Sequence, residues 1–189
     1  MKEVNIILLI KIAILGFSLQ FILLCFGLGI ELSLRHDEMG RIFINDSILS
    51  ITWSVICAPL WEELFFRKWL YTKLKSKVSI KKAIIISSIL FGLIHINPIV
   101  IIFATIIGYI SCNIYENTNL IIYSIIFHSA CNLFNEVLRV SIINNIYRVS
   151  LLNLKVTLIL ICIFIIISIY LFISIYRGII SGKGIYKIH

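Results

Sequence analysis

The chain has 189 residues, 60% of them hydrophobic and 14% charged, with a mean hydropathy of +1.07. Soluble domains are about 45–50% apolar and about 25% charged, so a water-soluble fold is excluded and a single integral membrane domain of helices over residues 1–189 is expected. Seventeen basic against nine acidic side chains give +8, which here marks the cytoplasmic side of a cell membrane and not a nucleic-acid partner.

A spanning helix needs about 20 apolar residues to cross a hydrocarbon core of about 30 Å. Residues 1–11 read as an interfacial lead-in, and Ile12 to Ile30, free of charge, as the first span. Asn45-Asp46-Ser47 offers cap residues for a second span running from about residue 47 into the low seventies, with a kink at Pro59. Residues 83–113 carry no Asp, Glu, Lys or Arg, but Asn97-Pro98 divides them into two short helices, spans three and four. Asn119 to Leu138 is span five and Val156 to Tyr176 span six. The expected architecture is an all-α, polytopic transmembrane bundle of about six spans in contact with the lipid bilayer.

The charges between the spans set the orientation. Arg67, Lys68, Lys73, Lys75, Lys77, Lys81 and Lys82 cluster between spans two and three with no acid among them, so that segment is expected inside. Six spans then place both termini inside as well, in keeping with Lys2 at one end and Arg177, Lys183 and Lys187 at the other. The segment after span one carries Glu31, Asp37, Glu38 and Asp46 and is expected outside. Lys11 splits the first apolar run and no small-residue cleavage site follows, so no cleavable leader is expected. The five cysteines all lie in apolar runs without a Cys-x-x-Cys pair and read as small buried hydrophobes.

Charge inside a span is costly, about 2.5–3.5 kcal/mol per carboxylate on insertion scales. Even so, the stretch 59–70, PLWEELFFRKWL, holds Glu62, Glu63 and Arg67. Glu63 and Arg67 are four residues apart and share a helix face, so they can pair. Glu62 points about 100° away and is left without a local cation. Taken alone, these charges could be snorkelling to water at the end of span two. The second constellation is Phe91-x-x-x-His95, late in span three, where a lone histidine could be a packed, satisfied residue. The third is His128-x-x-x-Asn132 in span five, two polar groups on one face. Asn135 and Glu136 read as interfacial, and His36 and His189 are given no role.

Depth unites the first three. Counted from the cytoplasmic face, Glu62, His95 and His128 each lie about ten to fifteen residues in, or roughly 15–22 Å at the helical rise. Independent snorkelling would not bring carboxylate, imidazole and imidazole-plus-amide to one level on three helices. An intramembrane polar site on the cytoplasmic side follows. Ser129 and Cys131 adjoin His128 and Asn132 but point to other faces, so the site has no evident nucleophile. Its carboxylate base, imidazoles and amide donor suit activation of water against a carbonyl and stabilisation of the oxyanion, the chemistry of peptide hydrolysis.

The ordered series Glu-Glu-x-x-x-Arg, Phe-x-x-x-His and His-x-x-x-Asn, each in its own helix, resembles the CAAX protease and bacteriocin-processing family of intramembrane endopeptidases over about residues 59–135. The resemblance implies that Glu62 is the water-activating base, assisted by His95. It implies further that His128 and Asn132 form the oxyanion site and that Glu63 and Arg67 are a supporting ion pair. The implied substrate is a peptide or membrane-associated protein, through peptide maturation or self-immunity. Two glutamates and two histidines could hold zinc, but without His-Glu-x-x-His the metal-free mechanism is the expectation. A non-catalytic bacteriocin-immunity protein and a small transporter are the rival readings, the latter disfavoured because inverted repeats are absent.

Overall fold

Asn5 opens the first helix. Its Oδ1 accepts from the Leu8 N–H at 3.1 Å, an N-cap that satisfies a first-turn donor, so α1 (Ile6–Leu34) begins ahead of Ile12. Lys11 sits on the exposed side of α1, and the expected lead-in is helical from Ile6 onward instead. The computed structural model describes residues 4–34, 48–139 and 154–181. The expected cap Asn45-Asp46-Ser47, most of the acidic outer segment, His36 and His189 lie outside the described residues.

Five further helices follow: α2 (Ile48–Lys75), α3 (Ile80–Leu93), α4 (Pro98–Thr118), α5 (Ile121–Leu133) and α6 (Leu154–Ile180). All six expected segments therefore appear, in an all-α bundle. Among the described residues four stretches are long and apolar enough to cross a membrane: Ile6–Phe26, Ile48–Lys75, Pro98–Thr118 and Ile161–Ile180. At 14 residues, α3 reaches only about 21 Å. The break between α3 and α4 falls where Pro98 dictates: Asn97 turns extended and its Oδ1 caps Ile99 N and Val100 N, as the residue before proline avoids helical geometry. Asn119 makes the next turn in the left-handed region, φ 58, which asparagine tolerates better than most residues.

Two polar contacts fix which helix ends meet. The Asn5 N–H donates to the Tyr123 hydroxyl at 2.8 Å, placing the start of α1 beside the start of α5. Lys75 Nζ reaches Glu116 Oε1 at 2.7 Å, placing the end of α2 beside the end of α4. The main core lies among α1, α4, α5 and the end of α6, built from Ile12, Leu15, Ile114, Phe127, Cys131 and Ile179. Close backbone approach permits it: a Cβ on Gly16 would lie 2.7 Å from the Phe127 carbonyl oxygen. By contrast α2 and α6 expose large apolar side chains, including Trp61, Phe65, Trp69, Ile166 and Tyr170, as lipid-facing helices do. Cys112 and Cys131 are buried as expected, but Cys162 is exposed; all five thiols are free.

The kink expected at Pro59 takes a specific form. α2 is not regular: Trp53–Cys57 and Leu64–Tyr71 are π-helical, on either side of the α-helical Ala58–Glu63. A π turn shifts bonding from i+4 to i+5 and leaves carbonyls for other partners, and such turns gather at functional sites. Neighbouring side chains donate to two carbonyls of α2. Ser87 Oγ donates to the Phe66 carbonyl at 3.1 Å and Asn132 Nδ2 to the Ser54 carbonyl at 2.8 Å.

Candidate active site

Glu63 is the centre of the buried polar cluster. Its side chain is 0% exposed, as is that of Arg67 one turn on, with Arg67 Nε 3.0 Å from Glu63 Oε2. The i, i+4 pairing expected from the sequence is present. Ser111 Oγ on α4 donates to the same oxygen at 2.6 Å, and His128 Nδ1 on α5 lies 3.1 Å from Oε1. An ionised carboxylate only accepts hydrogen bonds, so Nδ1 carries the proton it gives to Glu63. That contact orients the ring and aims Nε2 at Glu62, 3.8 Å from its Oε2.

Glu62 differs from its neighbour as the helical angle requires. Its side chain keeps 27% exposure, which leaves it accessible to water and substrate. The two carboxylates of one helix thus face one imidazole from another, the first open and the second sealed.

The Arg67 guanidinium is held by charge and aromatic contact. The N–H at Nε is not aligned on Glu63 for a hydrogen bond, and Nε, Nη1 and Nη2 have no hydrogen-bond acceptor among the described residues. We read the short separation as Coulombic attraction without a directed bond. The Phe91 ring lies 4.5 Å from the guanidinium carbon, a cation–π distance whose attraction grows when water is excluded. Phe91 also stands edge-on to His128, with ring centroids 5.4 Å apart, and to His95 at 5.8 Å.

His95 is placed differently from the expectation. α3 ends at Leu93, so His95 lies in the turn before Asn97-Pro98 rather than on the helix. Its Nδ1 is 3.3 Å from the Gly92 carbonyl, and the ring meets the cluster across Phe91. Asn132 is one turn beyond His128 on α5, as expected, and is anchored to the Ser54 carbonyl. Asn135 and Glu136, expected at the interface, pair inward: Gln20 Nε2 donates to Asn135 Oδ1 and Ser54 Oγ to Glu136 Oε1, both at 2.9 Å.

The structure therefore brings Glu62, Glu63, Arg67 and His128 into one cluster, sets Asn132 beside it on α5, and leaves His95 across an aromatic ring. Sequence reasoning missed Ser111 and Ser54. Ser111 is one small polar residue in an uncharged stretch, and Ser54 contributes a backbone atom to Asn132, so neither has a residue-level signal. Pro59, five residues after Ser54, was the one available clue. Glu63 is occupied by Arg67, Ser111 and His128, His95 is apart, and among the described residues no three His, Cys, Asp or Glu side chains converge on a metal position.

No curated protein and no solved structure matches the chain. Residues 44–134 match the family model described as type II CAAX prenyl endopeptidase Rce1-like. That segment contains all seven motif residues and every side chain of the Glu63 cluster. Motifs and match fall on the same residues: over this core the chain is similar to the type II CAAX prenyl endopeptidase Rce1-like family.

Proposed function

We propose that the protein hydrolyses a peptide bond in a short, hydrophobically anchored peptide, using water activated by Glu62. The observation that carries this reading is the His128 ring held between the sealed carboxylate of Glu63 and the open carboxylate of Glu62. Glu62 removes a proton from water as its oxygen bonds to the scissile carbonyl carbon. The oxyanion that forms accepts from a free N–H of Asn132 and from His128 when Nε2 carries a proton. The C–N bond then breaks, and the proton held by Glu62 passes to the leaving amine, giving a carboxylate and an amine. His95 enters as substrate binds, since catalytic hydrogen bonds are often long in its absence. Arg67, Phe91 and Ser111 hold Glu63, and Glu63 holds His128.

The family description points to prenylated C-terminal peptides as the substrate class. The test is cleavage of an internally quenched, farnesylated CAAX peptide by the protein in liposomes, with products identified by mass. Release of the residues that follow the prenylated cysteine is the expected result; an intact peptide after prolonged incubation contradicts it.

The reaction is proposed to need no metal, because Glu63 is occupied and, with His128 serving the oxyanion, Glu62 and His95 alone are too few for a hydrolytic zinc site, which takes three protein ligands. Purified protein should carry no stoichiometric zinc and keep its activity in a membrane-permeant chelator. One zinc per chain, lost together with activity and restored by zinc, would overturn this.

The site is also proposed to open toward the cytoplasm. The basic segment that closes α2 adjoins the end of α4, where Lys75 meets Glu116, and positive segments stay inside. A cysteine at Ser76, exposed just after α2, should label only once cells are permeabilised. Labelling of intact cells from outside would reverse the orientation.

A further inference from the structure

Pro59 carries no functional group and takes no part in the steps above, yet it lies in a helix interior. Proline there removes a backbone donor, clashes with the preceding turn and disfavours the helix by about 3 kcal/mol. Its effect here falls on one carbonyl. In a regular helix the Ser54 oxygen would accept from Ala58 N–H at i+4, but Ala58 N–H bonds Trp53 O in the π turn. The i+5 donor for Ser54 would be residue 59, and proline has no N–H. Ser54 O is left without either helical donor and accepts from Asn132 Nδ2 at 2.8 Å.

The chemistry of that acceptor fixes the amide. A carbonyl can only accept, so Asn132 must present its NH2 and not its oxygen, which settles the N/O orientation. One N–H is spent on Ser54, and the second has no acceptor among the described residues. Ser54 Oγ also donates to Glu136, one turn past Asn132 in the π-helical Phe134–Arg139 that follows α5, and holds the two segments in register.

We infer that Pro59 is a positioning residue: by withholding a donor from the Ser54 carbonyl, it makes that oxygen the anchor that orients the Asn132 amide toward the oxyanion. The inference rests on the proposed oxyanion role of Asn132, but its geometric half can be tested without substrate.

The test is a double-mutant cycle of Pro59→Ala and Asn132→Ala, read first as melting temperature in detergent. With Pro59 present, Asn132→Ala strands a carbonyl and should lower the melting temperature by about 2–4 °C, the shift expected of one lost buried hydrogen bond in a chain this size. With Pro59→Ala, residue 59 supplies the missing N–H, and Asn132→Ala should lower it by less than half as much. Equal shifts in the two backgrounds overturn the inference. Pro59→Gly restores the same N–H and serves if the alanine variant does not accumulate.

The second readout is turnover of the farnesylated peptide. Pro59→Ala should lower kcat about 10–100-fold at unchanged KM, part of the 10²–10³-fold that loss of an oxyanion donor produces, and should lower it no further when combined with Asn132→Ala. Full kcat in Pro59→Ala beside an inactive Asn132→Ala overturns the inference and leaves the proposed function standing. Full activity in Asn132→Ala overturns both.

Discussion

Glu62→Gln should lower turnover by about 10²–10⁴-fold, the range associated with a positioned general base, while the protein accumulates and melts as the wild type does. The separation follows from burial. Glu62 has 27% side-chain exposure and one long contact, 3.8 Å from His128 Nε2, so an amide of the same shape strands no partner. His128 keeps its orientation because Glu63 still accepts from Nδ1. Peptide cleavage by the purified variant at more than a tenth of the wild-type rate would remove Glu62 as the base. An equal loss of activity and folding would make it a structural residue.

Glu63→Ala should do the opposite and unfold the site. It leaves Arg67, fully buried, with no carboxylate, and leaves Ser111 and His128 without their acceptor. Breaking a buried pair from one side costs about 3–5 kcal/mol, or a fall in melting temperature on the order of 10 °C at the about 2–4 °C per kcal/mol usual for chains of this length. Arg67→Ala should be milder, because Glu63 retains Ser111 and His128 and loses only the ion pair. Thermal melts of both variants in detergent check the order. Equal loss in the two, or a Glu63→Ala protein that melts like the wild type, would contradict the picture of Glu63 as the hub.

Those two variants also show how far the sequence could be read. The helix angle between adjacent residues turned Glu62 away from the pair that i, i+4 spacing makes of Glu63 and Arg67. Asn97-Pro98 located the break between α3 and α4 because both residues have strong local preferences. What periodicity could not carry was anything set by a partner helix. His128 and Asn132 share a face, as spacing requires, but they meet different parts of α2, the glutamates and the Ser54 carbonyl. The π turns insert extra residues into α2 without a compositional mark, so the side-chain contacts to the Ser54 and Phe66 carbonyls could not be foreseen. His95, expected late in span three, lies instead in the turn after Leu93, because the helix does not run on into Asn97-Pro98.

Hydrolysis in which water attacks the scissile carbonyl directly, with no enzyme-bound acyl group, is the central claim. The farnesylated peptide should be cleaved by liposome-held protein in heavy-oxygen water containing hydroxylamine, and the new C-terminus weighed by mass spectrometry. The account predicts a single heavy oxygen in the new carboxylate and no hydroxamate, since hydroxylamine would trap only an acyl-enzyme. A hydroxamate at the cleavage site would mean that a protein nucleophile, and not a Glu62-activated water, makes the first bond.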